Sequence, residues 1–536
     1  MLIKDWLKEY LSQKYQNTSF DVLDTPDKKM GDYSINLVFS LAKKELVSPL
    51  DIGARVCGEL IEDPEIKNRF DKVEFVKPGF INFYIGRNIL RESILKILKG
   101  ESEAIDTVSG KINLEFVSAN PTGPLTVGNA RAASFGDTLG NILKKCGADV
   151  SKEYYINDMG VQVKKLGESF YKKYLKNFKN QEVEFGEDLY QGQYVDDYVK
   201  KIVEDLGEDV AEGLSEDSWK NEAIETLINA SRNSMKNLGV SFDTWFYESD
   251  LHSSGEINKS LLLIESNGKS FEKDGARWLK IDEENSAVII KSDGTTSYLM
   301  NDIAYTKNKF ERGFDRLINI WGADHHGDVP RLLAGTKAIG HNPEKIKIIL
   351  HQLVFIKKGD QRQRMSKRKG EFILLDELLS EVGKDAIRFF FLLKDMNTHM
   401  EFDIDLAKEQ SSKNPVFYIQ YAFARINSIF KKTAFDLKKG DDLNLETESL
   451  NEDELDLIKE ILIFNQKLAD ISRDLNVHHL AQYSLSLAGS FHKFYERNRV
   501  LDEDKIDFNR LAIVLATYVT LKECLDLMGL SAPESM

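Results

Sequence analysis

Between Leu114 and Arg131 the chain reads LEFVSANPTGPLTVGNAR: a short apolar strand, an Asn/Pro/Gly loop, and a helix whose first turn carries Val127-Gly128-Asn129. Such a connection brings unpaired backbone N–H groups and the positive end of a helix dipole to one point, where phosphates are favoured. Gly128, at the helix start, leaves room for an adenine or ribose to approach the backbone closely. The segment also carries Glu115 and Asn120. An ordinary strand-to-helix turn has the same texture, so the rest of the chain must decide.

With 536 residues, 42% of them hydrophobic, the chain is expected to form two or three domains with sizeable cores. The opening MLIKDWLKEYL alternates charged and apolar residues at helical spacing, as an amphipathic helix does and a secretory signal does not. No apolar run is long enough to span a bilayer, so no membrane partner is expected. Cys57, Cys146 and Cys524 lie far apart and form no CxxC or Cys/His cluster, which argues against disulfides and structural zinc and fits a reducing cytoplasm. A net charge of -15 argues at first sight against nucleic acid. The acidic residues concentrate in runs such as Asp441 to Glu448 and Glu452 to Glu460, however, leaving basic stretches at Lys357 to Lys369 and at Lys431, Lys432, Lys438 and Lys439.

Texture divides the chain into three. Residues 1–105 mix helical periodicity with short strands at Val73 to Val76 and Phe80 to Tyr84, an α+β module punctuated by Pro78 and Gly79. Residues 106–405 alternate strands (Ile112 to Val117, Ala287 to Ile290, Arg316 to Trp321, Ile346 to Leu350) with helix-period segments, the pattern of an α/β domain with a parallel sheet. A highly charged insertion lies around residues 171–219. Residues 406–536 are read as all-α, with apolar periodicity over Val416 to Phe430, Leu455 to Ile471, Leu480 to Tyr495 and Leu511 to Met528.

Three further features of the middle region carry chemistry. Gln361 to Gly370, QRQRMSKRKG, is a basic loop between an apolar strand and a helix-like segment, and its Arg364, Lys367 and Arg368 suit a polyphosphate. Trp321 to Gly327, WGADHHG, follows a strand and sets Asp324, His325 and His326 at its carboxyl end. No third ligand with metal spacing accompanies these histidines, so no metal is assigned and polar contacts to ribose or substrate are expected. Tyr298-Leu-Met-Asn-Asp302 opens a helix, where Asp302 reads equally as a first-turn stabiliser or a substrate anchor.

Together these stretches resemble the class I aminoacyl-tRNA synthetases, and within them the arginyl-tRNA synthetase family. PTGPLTVGNAR is similar to that family's HIGH-type signature, RMSKR to its KMSKS-type signature, and DIAYTKNKFERGFDRLINIWGADHHGDVPRL to a stretch associated with arginyl enzymes. NPVFYIQYAFARI resembles the start of their helical anticodon-binding domain, and GDYSINLVFSLAK with VKPGFINFYI their N-terminal module, which contacts the tRNA elbow. The resemblance implies a Rossmann-like catalytic domain, flanked by the α+β module and an all-α bundle. It implies ATP with Mg²⁺ on its polyphosphate, L-arginine and tRNA(Arg) as partners, and a monomer.

By the same resemblance Glu115, Asn120, Tyr298, Asp302 and His325 bind arginine. ATP contacts fall at Pro121, Gly123, Gly128, Asn129, Gly322, Asp324, Met365, Ser366 and Lys367, and Thr126, Gly128, Asn129, Arg364 and Lys367 form the catalytic set. Tyr418, Tyr421, Tyr495, Arg497 and Arg499 are candidates for tRNA, with aromatics to stack bases and arginines for phosphates, although aromatics at helical spacing are more often core. Two carboxylates suit a flat guanidinium with five donors and would reject the compact ammonium of lysine. The chain departs from the family where the two signature histidines are Thr126 and Asn129 and the first signature lysine is Arg364. Thr126 O–H and Asn129 N–H can still bond phosphate oxygens but carry no imidazolium charge. Two alternatives stay open: a non-catalytic tRNA-binding paralogue, and a small-molecule nucleotidyltransferase of the same fold.

Overall fold

The computed structural model describes residues 2–101, 105, 107–359, 361–363, 373–502 and 505–536. The chain begins with helix α1 (Ile3–Lys14) and an antiparallel sheet of β1 (Val22–Asp24), β2 (Tyr33–Ile35), β3 (Phe70–Val76) and β4 (Phe80–Ile85), ordered β1-β2-β4-β3. Helices α2 (Leu37–Glu45) and α3 (Pro49–Ile61) intervene, and Ser48 caps α3 ahead of a proline at its first turn. Helix α4 (Arg87–Leu98) leads out toward the middle region.

The middle region is built on five parallel strands, β5 (Lys111–Glu115), β6 (Asp149–Ile156), β7 (Thr244–Tyr247), β11 (Arg316–Gly322) and β12 (Ile346–His351), in the order β12-β11-β5-β6-β7. Its helices make it α/β, as the alternating pattern predicts. Helix α5 (Val127–Lys145) follows β5 and is buried along most of its length. A Cβ at Gly136 would collide with the Phe116 ring, so glycine is what lets α5 lie directly against the strand end. Between β6 and β7 run α6 (Val161–Lys179), α7 (Gln193–Leu206) and α8 (Glu216–Asn237). They enclose a small core of their own around Phe170, Val199, Ile202 and Trp219.

One strand departs from the expected layout. Ala287 to Ile290 forms a strand, but in a separate antiparallel sheet of β8 (Ser270–Lys273), β9 (Ala276–Lys280) and β10 (Ser286–Ile290). The Asp282 side chain accepts from the Glu284 and Asn285 backbones and closes a tight hairpin, which forces antiparallel pairing with β9. Helix α9 (Tyr298–Glu311), capped by Ser297, then precedes β11. A third small sheet, of β13 (Val354–Lys358), β14 (Gln361–Gln363) and β15 (Met400–Asp403), flanks helix α10 (Lys384–Leu392).

The remainder is helical: α11 (Pro415–Thr433), α12 (Glu452–Leu462), α13 (Phe464–Asp474), α14 (His478–Arg497) and α15 (Phe508–Leu527). Asn414 caps α11 just before its first-turn proline. The expected single segment Leu455 to Ile471 is two helices, broken at Ile463, so that two apolar faces of different direction both reach the core. The expected all-α character is interrupted by a ladder of two residues per strand, Leu501–Asp502 with Lys505–Ile506. Among the described residues no helix is long and apolar enough to cross a membrane.

Candidate active site at the carboxyl edge of the parallel sheet

β5 ends at Glu115, and the chain turns sharply: Val117 and Ser118 have φ of +70° and +38°. A β-branched residue in the left-handed region is strained by about 1–2 kcal/mol, and β6 holds the turn in place. Tyr154 Oη lies 3.1 Å from both the Ala119 N–H and carbonyl, and Ser118 Oγ accepts from the Tyr155 N–H at 3.1 Å. Ser118 in turn donates to Glu115 Oε1 at 2.9 Å. Asn120, on the exposed rim, donates to Gln162 at 3.2 Å. Tyr194 of α7 donates to the Thr122 carbonyl at 2.9 Å, tying the charged insertion to the signature loop beside Pro121 and Gly123.

Thr126 and Asn129 engage each other. The Thr126 backbone N–H and hydroxyl both donate to Asn129 Oδ1, at 2.9 and 3.0 Å. The Thr126 hydroxyl expected to face phosphate is therefore used inside the helix cap, while the Asn129 Nδ2 group donates to no described residue. At Gly128 an added Cβ would meet only Thr126 Oγ1, at 3.7 Å, so no described residue requires glycine there and open space lies before the helix end. Where this helix end serves a phosphate, as the resemblance implies, Asn129→Ala is expected to lower turnover about 100-fold, as loss of one preorganised donor does. It is expected to cost only about 1 kcal/mol in urea melts, the worth of a helix cap. Turnover at saturating substrate checks the first figure.

Arg364, Met365, Ser366, Lys367 and Arg368 lie outside the described residues. The chain that follows them returns to the first signature: Val127 N–H donates to the Ile373 carbonyl at 3.3 Å, and Leu375 N–H to the Leu125 carbonyl at 2.9 Å. At the end of β11, Gly322 leads into Asp324 and His325, both exposed, with His325 Nδ1 3.3 Å from Asp328. A Cβ at Gly322 would collide with the Asp324 carboxylate. His351, paired with Gly322 across β11 and β12, is pushed by burial down to a pKa of about 4, so its ring is neutral.

Helix α9 forms the opposite wall. Tyr298, at its first position, is 63% exposed. Asp302, one turn on, makes no hydrogen bond or ion pair with any described residue. Burial first, then the charges of Glu115, Glu248 and Asp328, raise its pKa to about 8, with Lys309 opposing. Further along the same face, Lys309 Nζ donates to Glu115 Oε2 at 2.6 Å and to Asn319 at 3.1 Å. Arg312 grips Glu153 with two donors at 2.6 and 2.7 Å, and Tyr305 donates to the same carboxylate. Glu248 is buried, accepts from Tyr155 and Asn301 at 2.8 Å each, and has a raised pKa from burial.

Sequence reasoning missed Lys309, Glu153, Glu248 and Tyr194. A signal for one of them exists: Lys309 sits seven residues after Asp302, on the same helix face. Far from this site, Tyr418, Tyr421 and Tyr495 gather around His492 and Arg425, whose guanidinium lies 4.7 Å from the Tyr421 ring centre and 4.6 Å from that of Tyr495. Arg497 and Arg499 pair with Asp453 and Asp502 instead. Among the described residues no group of three or more His, Cys, Asp and Glu could hold a metal ion.

An unpartnered carboxyl that feels the charge of a second carboxylate, the latter on the strand leading into a helix N-terminus with open space before it, can hold a flat cation and a nucleotide. Known proteins match the chain along nearly its whole length. Residues 1–85 match the arginyl tRNA synthetase N terminal domain, 93–428 the class I (R) tRNA synthetase catalytic domain, and 419–536 the DALR anticodon binding domain. The arginine–tRNA ligase of Carboxydothermus hydrogenoformans is 41% identical over 97% of this chain and 94% of its own. That of Thermotoga petrophila is 39% identical over 100% and 99%. The arginyl-tRNA synthetase structure from Thermus thermophilus superposes with a TM-score of 0.81 over all of both chains at 21% identity, a likeness of fold. By these matches the chain belongs to the arginyl-tRNA synthetase family of class I.

Proposed function

We propose that the site joins L-arginine to tRNA(Arg) with consumption of ATP, in two steps. The arginine carboxylate attacks the α-phosphorus of ATP, forming arginyl-adenylate and releasing pyrophosphate. A ribose hydroxyl at the 3′ end of the tRNA then attacks the acyl carbon and releases AMP. Charge grows on the α-phosphate and the leaving pyrophosphate, so catalysis is mainly electrostatic and needs no protein nucleophile. The N-terminus of α5 and the Asn129 amide serve the phosphates, together with Arg364 and Lys367 of the basic loop. Mg²⁺ enters as the counter-ion of the ATP polyphosphate.

The guanidinium lies between Glu115 and Asp302, with Asn120, Tyr298 and His325 closing the pocket. The observation that carries this assignment is Asp302, a half-buried carboxyl with no hydrogen-bond or ion-pair partner among the described residues, whose pKa is raised by desolvation and then by the charge of Glu115. A buried unpaired acid costs stability, and a forked cation bound across both carboxylates removes that cost. Lysine cannot bond both in one plane, and neutral amino acids leave the acids unpaired.

ATP–pyrophosphate exchange with each of the twenty amino acids, with and without total tRNA, tests the reading. Exchange with arginine alone, together with charging of tRNA(Arg), is the expected result. Retention of tRNA by the folded protein without exchange would instead mark a non-catalytic paralogue, the reading that Thr126 and Asn129 motivate. Nucleotidyl transfer without tRNA binding would mark a small-molecule enzyme.

A further inference from the structure

We infer that Lys309 is a positioning residue for the arginine pocket: it fixes the Glu115 carboxylate and supplies the charge that lets Glu115 and Asp302 act together on one guanidinium. The inference rests on the pocket proposed above.

Lys309 is 1% exposed at its side chain and lies on the last turn of α9. Its ammonium donates to Glu115 and Asn319 and sits 4.2 Å from the centre of the Tyr305 ring, so three elements (β5, β11 and α9) meet on one charge. Asp302 and Lys309 are seven residues apart, two helical turns, and so share a face of α9 about 10 Å apart along its axis. The bond from Lys309 to Glu115 therefore ties the rigid helix that carries Asp302 to the strand that carries Glu115, and sets the gap a guanidinium must fill.

Glu115 is held at both oxygens from the protein side, Oε1 by Ser118 and Oε2 by Lys309. Each carboxylate oxygen accepts two hydrogen bonds, so one site per oxygen is left for a forked donor. Charge counting agrees. Glu115 and Lys309 cancel, so ionised Asp302 meets a substrate cation of +1 with one carboxylate fewer in excess, Glu248 being the other negative neighbour, held by neutral donors. Without Lys309 two facing carboxylates would share a proton. The other groups facing Asp302 keep their own partners: Glu248, from the helix Glu248–Ser253, is held by Tyr155 of β6 and by Asn301, and Asp328 by His325 and Arg331.

Lys309→Met keeps the volume and removes the charge. The KM for arginine in pyrophosphate exchange is expected to rise about 100-fold with the KM for ATP changed less than about twofold. The pH midpoint of kcat/KM for arginine is expected to move up by about one unit or more, which a merely structural role would not do. Because Glu115 would be left buried without its cation, the Lys309→Met/Glu115→Gln double variant is measured against Glu115→Gln alone. Loss of Lys309 should add less than about threefold there, since the two act as a unit. An unchanged pH midpoint in Lys309→Met, or an arginine KM that rises as much in the Glu115→Gln background as in the parent, would overturn the inference. Absence of arginine exchange in the unmodified protein would overturn the pocket assignment instead.

Discussion

Asp302→Asn is expected to abolish arginine-dependent pyrophosphate exchange, by about 1000-fold, while raising the melting temperature. A pocket built around a carboxylate loses on that order when the charge is removed and the substrate cation is left underpaired. The same carboxyl is a liability to the fold. Its pKa of about 8 lies far above the unfolded value near 3.9. The stabilisation this proton gives is complete below about pH 4, and is lost as pH rises through the folded pKa of about 8. Asparagine never ionises, so the variant's advantage in melting temperature should be absent near pH 4, a few °C by neutral pH and largest at pH 9.

Substrate binding follows the same linkage. In the proposed pocket arginine binds the ionised form of Asp302, so its dissociation constant should fall nearly tenfold per pH unit from about pH 6 toward 8 and then level off, with close to one proton released per arginine at pH 7. Calorimetry in two buffers of different ionisation enthalpy reads the proton directly. A flat affinity profile, or an asparagine variant no more stable at pH 9 than its parent, would show that Asp302 is not the unpaired acid of the pocket.

The second large effect is expected at Arg388, far from the reacting atoms. Its guanidinium is fully buried on α10 and donates to Asp137 of α5 at 2.6 Å, to the carbonyls of Leu238 and Gly239 at 3.3 and 3.2 Å, and to that of Met528 at 2.7 Å. Asn141 of α5 donates to the neighbouring Leu527 carbonyl at 3.0 Å. The end of the last helix is thus fastened to α5, the helix that Thr126 precedes as its N-cap. Arg388→Met removes the donor from three carbonyls, two of them on the buried residues Leu238 and Met528, although Asp137 keeps Lys152 at 2.6 Å. A loss of about 3–5 kcal/mol in urea unfolding is expected. Protease cleavage around Gly529 should rise in the variant, because α15 loses its main polar anchor. A loss under about 1 kcal/mol would mean that apolar packing alone holds the junction.

The patterns that were legible in the linear chain are those that short-range physics writes. The strand and the helix starting at Val127 follow from apolar runs, a Pro/Gly loop and a cap, although the strand, expected over Ile112 to Val117, ends at Glu115 where the chain turns through Val117 and Ser118. The parallel order of the sheet follows from strands separated by helical connections. The misreadings were also local. Ala287 to Ile290 has strand composition, but its partner was set by the hairpin closed by Asp282. Leu455 to Ile471 is continuously periodic, and only packing against two neighbours breaks it at Ile463.

The sequence by itself therefore determined the elements, the α/β class and the chemistry available near the signature loop, because propensity, capping and periodicity act over a few residues. The tertiary structure alone decided what state that chemistry is in. Glu115 and Lys309 lie 194 residues apart, and Arg388 and Met528 lie 140 apart. Whether Asp302 is a solvated first-turn acid or an unpaired buried one depends on charges contributed by β5, α9, the helix Glu248–Ser253 and the turn at Asp328. Coulomb energy and desolvation depend on distance in space and on exclusion of water, and neither is a function of spacing along the chain.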